Sequence, residues 1–215
     1  MNSPLKERLR LMLVIGQAQA QPRTILELAD LAFQGGVTAL QLREKDLNGS
    51  EFYLLALEVA NFCRQKNKFF IINDRLDIAL AVGADGLHLG ADDLPLNVAR
   101  RYWPRVLGAT AKTPAMARQA LSQGADYLGL GALFPSPTKP ESPVMEPQTR
   151  EAIKALARQN GHPPLVGIGG LTPENAQLAW SFGLDSLAVV SSLATAADPK
   201  SLAQKFLLAQ KAAQI

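Results

Sequence analysis

Short apolar runs alternate along the whole chain with segments whose apolar positions return every three or four residues. These are the signatures of buried strands and of amphipathic helices. The runs predict eight strands: Leu9–Gly16, Val37–Arg43, Lys68–Asn73, Gly86–Gly90, Val106–Lys112, Tyr127–Leu133, Pro164–Gly169 and Ser186–Ser191. The periodic segments predict helices over Thr24–Gln34, Gly49–Gln65, Leu76–Val82, Leu94–Trp103, Pro114–Gln123, Pro147–Gln159, Pro173–Phe182 and Pro199–Ala213. Pro114 stands at a first helical position, where its missing N–H costs nothing, and Gly35-Gly36 ends the first helix.

Eight strand–helix units in 215 residues leave about 27 residues per unit, the lower range of a (β/α)8 barrel. An internal echo supports the count. Gly36-Val37-Thr38, Gly83-Ala84-Asp85, Gly124-Ala125-Asp126 and Gly183-Leu184-Asp185 lead into strands two, four, six and eight. A doubly wound open sheet is the alternative, but eight regular units with apolar strands at both ends favour closure. The expected fold is α/β, a single-domain (β/α)8 TIM barrel over residues 1–215.

Composition narrows the chemistry. The chain is 47% hydrophobic and 19% charged with a net charge of +3, and no cluster of Lys and Arg interleaved with aromatics suggests nucleic acid. A single cysteine, Cys63, excludes an internal disulfide and a cysteine zinc site, and its helical setting makes it a packed thiol. No apolar run reaches the length of a membrane span and no cleavable leader is evident, so a cytoplasmic location is expected. A homo-oligomer is compatible with the sequence, which does not decide the point.

A barrel collects its functional groups at the C-terminal ends of its strands, and the polar residues fall there. Alternation along strand two puts Gln41, Arg43 and Lys45 on one face and Leu42 and Glu44 on the other. In isolation this stretch reads as a solvated strand end paired to Glu44 and Asp46; at a barrel mouth it reads as a cradle for an anion. Asp74, Asp92 and Asp93 follow strands three and four, a carboxylate set suited to a hard cation such as Mg²⁺. Alternatively, Asp74 caps a helix beginning at Arg75, and Asp92 or Asp93 caps Leu94–Trp103. Arg43, Lys45 and Lys139 are cations able to neutralise a leaving pyrophosphate. Val166–Asn175 combines a strand, the Gly169-Gly170 turn and a helix start, the usual phosphate position of this fold, with Ser191 beside it. His88 suits the mouth or a hydrogen-bonded core equally well; His162 lies in a loop, and Trp103 and Trp180 are packing residues. No Ser-His-Asp order, Walker loop or metal-binding His pair is present.

Six segments together resemble thiamine phosphate synthase, in order across nearly the whole chain. They are Gln41-Leu42-Arg43-Glu44-Lys45, Ile72-Asn73-Asp74, Gly86–Leu94, Gly129-Leu130-Gly131 with Phe134-Pro135-Ser136-Pro137-Thr138-Lys139, Gly167–Gly170 and Val189-Val190-Ser191. The resemblance implies a transferase that joins 4-amino-2-methyl-5-hydroxymethylpyrimidine pyrophosphate to 4-methyl-5-(2-phosphoethyl)thiazole or its carboxylate. Thiamine phosphate and pyrophosphate are the products, and small phosphorylated molecules the partners. It further implies that Gln41, Arg43, Lys45, Asn73, Thr110 and Lys139 hold the pyrimidine pyrophosphate, with Leu42 and Glu44 counted in the same binding stretch. Asp74 and Asp93 would carry Mg²⁺. Ser136, Pro137, Thr138, Gly170, Val190 and Ser191 would line the thiazole phosphate site. Arg43, Lys45, Thr110 and Lys139 would act on the developing pyrophosphate charge, and loss of pyrophosphate would precede attack by the thiazole nitrogen.

The chain departs from the family pattern at Ala91-Asp92-Asp93, where Gln-Glu-Asp is usual, and at Thr110-Ala111-Lys112-Thr113, where Ser-x-His-Thr is usual. Thr110 keeps a hydroxyl; Lys112 adds a charge. Two alternatives follow: a thiazole tautomerase on the same barrel, or a non-catalytic phosphate-binding paralogue. Asn73-Asp74, Asp93 and Lys139, with no fifth-strand His, weigh against the tautomerase. The proline-rich stretch Phe134–Met145 is expected to serve as a lid over the mouth.

Overall fold

The computed structural model describes residues 4–136 and 142–213. The strands β1 (Leu11–Ile15), β2 (Ala39–Leu42), β3 (Phe69–Asn73), β4 (Gly86–Leu89), β5 (Val106–Thr110), β6 (Tyr127–Leu130), β7 (Leu165–Ile168) and β8 (Ser186–Val189) close into a barrel in sequence order. Every pairing is parallel, including β8 back onto β1. Around it lie α3 (Ile25–Gln34), α4 (Gly49–Gln65), α5 (Leu76–Val82), α6 (Leu96–Tyr102), α7 (Pro114–Ser122), α8 (Pro147–Gln159), α9 (Pro173–Ser181) and α11 (Pro199–Ala213). Short helices α1 (Pro4–Leu9), α2 (Gln17–Ala20) and α10 (Ser191–Ala194) complete the chain. No described helix is long and apolar enough to cross a membrane.

The predicted barrel stands, with corrections at the edges. Each strand but β3 ends short of its predicted C-terminus, since the last residues of each apolar run leave the ladder to build the mouth. Leu9 ends α1 rather than opening β1, and Pro95 moves the start of α6 from Leu94 to Leu96. α1, α2 and α10 were not predicted, being too short to show a helical period.

Strand alternation sorts the core into two layers. Met12, Val14, Ala39, Phe69, Ile71, Tyr127, Val166 and Ala188 fill the barrel interior. The residues between them, such as Leu13, Leu40, Leu42, Ile72, Leu87 and Leu187, pack outward against the helices.

The sequence echo has a physical cause at the opposite end of the barrel. The Asp85, Asp126 and Asp185 carboxylates accept hydrogen bonds from the backbone N–H groups of Phe70, Leu107 and Leu165 at 2.9, 2.8 and 2.9 Å. The Thr38 hydroxyl accepts likewise from Leu11 at 3.2 Å. The residue just before each even strand thus satisfies the N-terminal end of the preceding odd one. α1 joins this face through a Lys6–Asp185 ion pair of 2.6 Å and Arg8 stacked over the Phe69 ring.

Candidate active site

A cavity of about 470 Å³ opens where the C-terminal ends of the strands converge. Gln41, Arg43 and Lys45 all line it, as alternation requires. Leu42 and Glu44 are not among its lining residues. The Leu42 side chain is fully buried in the layer between barrel and helices, and the Glu44 carboxylate turns back to accept the Gln17 N–H at 2.5 Å. Burial raises the Glu44 carboxyl above its ordinary range. Gln41 is 5% exposed, and its Nε2 has no hydrogen-bond partner among the described residues. A buried amide donor left unmet beside a cavity is costly unless a ligand meets it.

Asp74 and Asp93 come together beside these cations. Lys45 pairs with the Asp74 carboxylate, and Asp93 shares a hydrogen bond with Asp74. Asp93 also accepts from Gly90 N–H at 2.7 Å. Burial, then the neighbouring Asp74, raises the Asp93 carboxyl above its usual value. The capping alternative fails for all three aspartates. α5 has Arg75 at its N-cap and α6 has Pro95, neither with a side-chain cap. Asp74 instead sits in the left-handed region at φ 66°, with its N–H on His88 O at 2.8 Å. Asp92 lines the cavity, but no group of three or more potential His, Cys, Asp or Glu metal ligands exists among the described residues.

The floor holds a three-membered network. His88 Nδ1 lies 3.0 Å from the Tyr127 hydroxyl, and His88 Nε2 lies 3.0 Å from Thr110 Oγ1. Two glycines make room for these rings. A Cβ on Gly108 would stand 2.0 Å from the Tyr127 ring, and one on Gly129 would stand 3.1 Å from His88 Cε1. Burial pushes the His88 imidazole down to about 4, so the ring is neutral at ordinary pH, and burial also raises the Tyr127 phenol. Asn73, 6% exposed, and Thr110 line the same wall, and Lys112 stands at its rim.

Across the cavity, Gly169 and Gly170 turn with φ 101° and 62°, values that favour glycine. Asn175 Nδ2 donates to Gly170 O at 2.8 Å, and Ser192 Oγ donates to Leu171 O, fixing the turn to α9 and α10. Gly170, Val190, Ser191 and Ser136 all line the cavity. Pro137, Thr138 and Lys139 lie outside the described residues, as does the middle of the expected lid. Its ends are held by Phe134 N–H on Gly169 O at 3.2 Å and Met145 N–H on Ala132 O at 2.8 Å.

Residues 11–193 match the family model described as thiamine monophosphate synthase. The chain belongs to that family. It is 43% identical to the thiamine-phosphate synthase of Syntrophomonas wolfei subsp. wolfei over 197 residues, covering 91% of this chain and 93% of the relative. Identity to thiamine-phosphate synthase 2 of Streptococcus pneumoniae is 42% over 204 residues, covering 94% and 95%. A solved thiamine phosphate pyrophosphorylase from Pyrococcus furiosus superposes with a TM-score of 0.86 at 30% identity, covering 97% and 98%. Membership makes the protein an enzyme, a transferase by the activity for which these relatives are named.

Sequence reasoning left His88 undecided and passed over Tyr127. The signal was available: applying to strands four to six the alternation used for Gln41–Lys45 puts His88, Thr110 and Tyr127 inward together. Ser142, also at the cavity wall, carried no signal in the sequence.

Proposed function

We propose that the enzyme condenses 4-amino-2-methyl-5-hydroxymethylpyrimidine pyrophosphate with 4-methyl-5-(2-phosphoethyl)thiazole, or its carboxylate, to thiamine phosphate and pyrophosphate. One observation carries the reading. A single cavity has two anion-seeking ends, the cations and paired carboxylates after β2–β4 and the Gly169-Gly170 turn with Ser191 after β7–β8. A reaction between two phosphorylated substrates needs both ends to face one space. The unmet Gln41 amide suits the pyrimidine between them.

The chemistry asks for charge stabilisation rather than a protein nucleophile. The aminopyrimidine donates electron density toward its methylene carbon. The carbon–oxygen bond to pyrophosphate breaks with its electron pair on the leaving oxygen, and the thiazole nitrogen then supplies the pair for the new carbon–nitrogen bond. Arg43 and Lys45 lie where that leaving charge grows, and Thr110 can donate to it; Lys139 belongs with them by sequence. Asp74 and Asp93 fit Mg²⁺, because two crowded carboxylates, one with a raised pKa, lose their repulsion to a cation that takes its remaining ligands from water and substrate. Bound there, the ion would offset pyrophosphate charge.

The test is direct: purified protein with both substrates should form thiamine phosphate with Mg²⁺ and far less without it. No product with Mg²⁺ present would overturn the assignment, and isomerisation of a thiazole instead would move it to the tautomerase. Asp74→Asn and Asp93→Asn should each cost at least tenfold in turnover. Variants as active as the parent would remove the metal role.

A further inference from the structure

We propose that Tyr127, His88 and Thr110 form a directional hydrogen-bond chain that makes the Thr110 hydroxyl an obligate donor to the anion in the cavity, with Tyr127 and His88 as positioning residues. The inference rests on the reading of Thr110 as a contact of the pyrophosphate-bearing substrate. It begins at the buried end. Tyr127 is 1% exposed, and among the described residues its hydroxyl has His88 Nδ1 as its hydrogen-bond partner. A phenolic proton with nowhere else to go must point at that nitrogen, or a buried donor is left unmet.

The rest follows from that phenolic proton, since a ring nitrogen that accepts it carries none of its own. A ring that accepts at Nδ1 carries its single proton on Nε2, and Nε2–H donates to Thr110 Oγ1 across 3.0 Å. An oxygen that accepts from histidine directs its own proton elsewhere, and Thr110 is open to the cavity. In the opposite tautomer, Nδ1–H would donate to Tyr127 and Nε2 would accept from Thr110. The phenolic proton would then be buried unmet, and Thr110 would turn lone pairs toward a phosphate oxygen. The two tautomers therefore differ in whether the site attracts or repels its ligand at this position. Gly108 and Gly129 keep both rings in place, since a Cβ on either would press on one of them.

Only two histidines occur in the chain, so nitrogen NMR with a His162→Gln variant reads the His88 tautomer without ambiguity. The Nε2–H form is expected; the Nδ1–H form would overturn the proposal. Tyr127→Phe keeps the ring and removes the proton that selects the tautomer. Calorimetry with inorganic pyrophosphate and Mg²⁺ should show affinity reduced roughly five- to tenfold, the effect of one hydrogen bond. The KM for the pyrophosphate-bearing substrate should rise in step. Thr110→Ala should weaken binding at least as much, and adding Tyr127→Phe to it should change nothing further. Effects that multiply, or a Thr110→Ala variant that binds normally, would overturn the chain. The NMR and binding readouts do not need turnover. An inactive parent with the expected tautomer and coupling would therefore sink the synthase reading and leave this one standing.

Discussion

At the scale of single residues, His88 carries a consequence for stability. Burial outweighs the nearby Asp93 carboxylate and holds its folded pKa at about 4, against about 6.5 in an unfolded chain. Between those values the unfolded chain binds the extra proton, so stability falls as pH drops through the window and the contribution is fully present above it. Chemical denaturation at pH 7 and pH 5 should differ by roughly 2 kcal/mol from this residue alone. His88→Gln should lose that part of the pH dependence. A variant with the parent's full pH slope would show that the ring is protonated in the folded state.

At the scale of elements, the Asp and Thr residues before the even strands act as fasteners for the odd ones. Asp85→Ala would strand the Phe70 N–H at the start of β3 and remove its acceptor at 2.9 Å. A loss of about 1–3 kcal/mol is expected, most of it recovered by Asp85→Asn, which keeps an acceptor oxygen. Thermal melts of the two variants make the comparison, and equal loss in both would assign the effect to charge instead. The glycine-led turns were legible as a repeat because their spacing follows the chain. Their partners were not, because Phe70, Leu107 and Leu165 lie a whole unit upstream. The capping boxes of α3 and α4, Thr24 with Glu27 and Asn48 with Glu51, each hold both members within one short segment. The alternative reading of these aspartates as caps of α5 and α6 fails because Asp74 and Asp93 are held at the mouth by Lys45, Gly90 and each other.

At the scale of the whole molecule, the helix layer seals the barrel from solvent. Cys63 on α4 is fully buried there, and desolvation pushes its thiol up to about 12. Thiol reagents at neutral pH should leave the native protein unmodified and label one site once it unfolds. Rapid labelling of the native protein would mean that α4 opens readily.

Taken by itself, the sequence determined whatever depends on neighbours along the chain. Short apolar runs gave the strands, and period two sorted Gln41, Arg43 and Lys45 from Leu42 and Glu44. Glycine and proline placed most helix ends, and eight repeated units made closure the economical arrangement of the apolar runs. Tertiary structure alone decided what meets across strands. Lys45 reaches Asp74, Asp93 crowds it, and His88 on β4 joins Thr110 on β5 to Tyr127 on β6. Those contacts depend on the stagger between neighbouring strands. That stagger is set by closing the barrel around its interior side chains, and no pattern within a single strand encodes it.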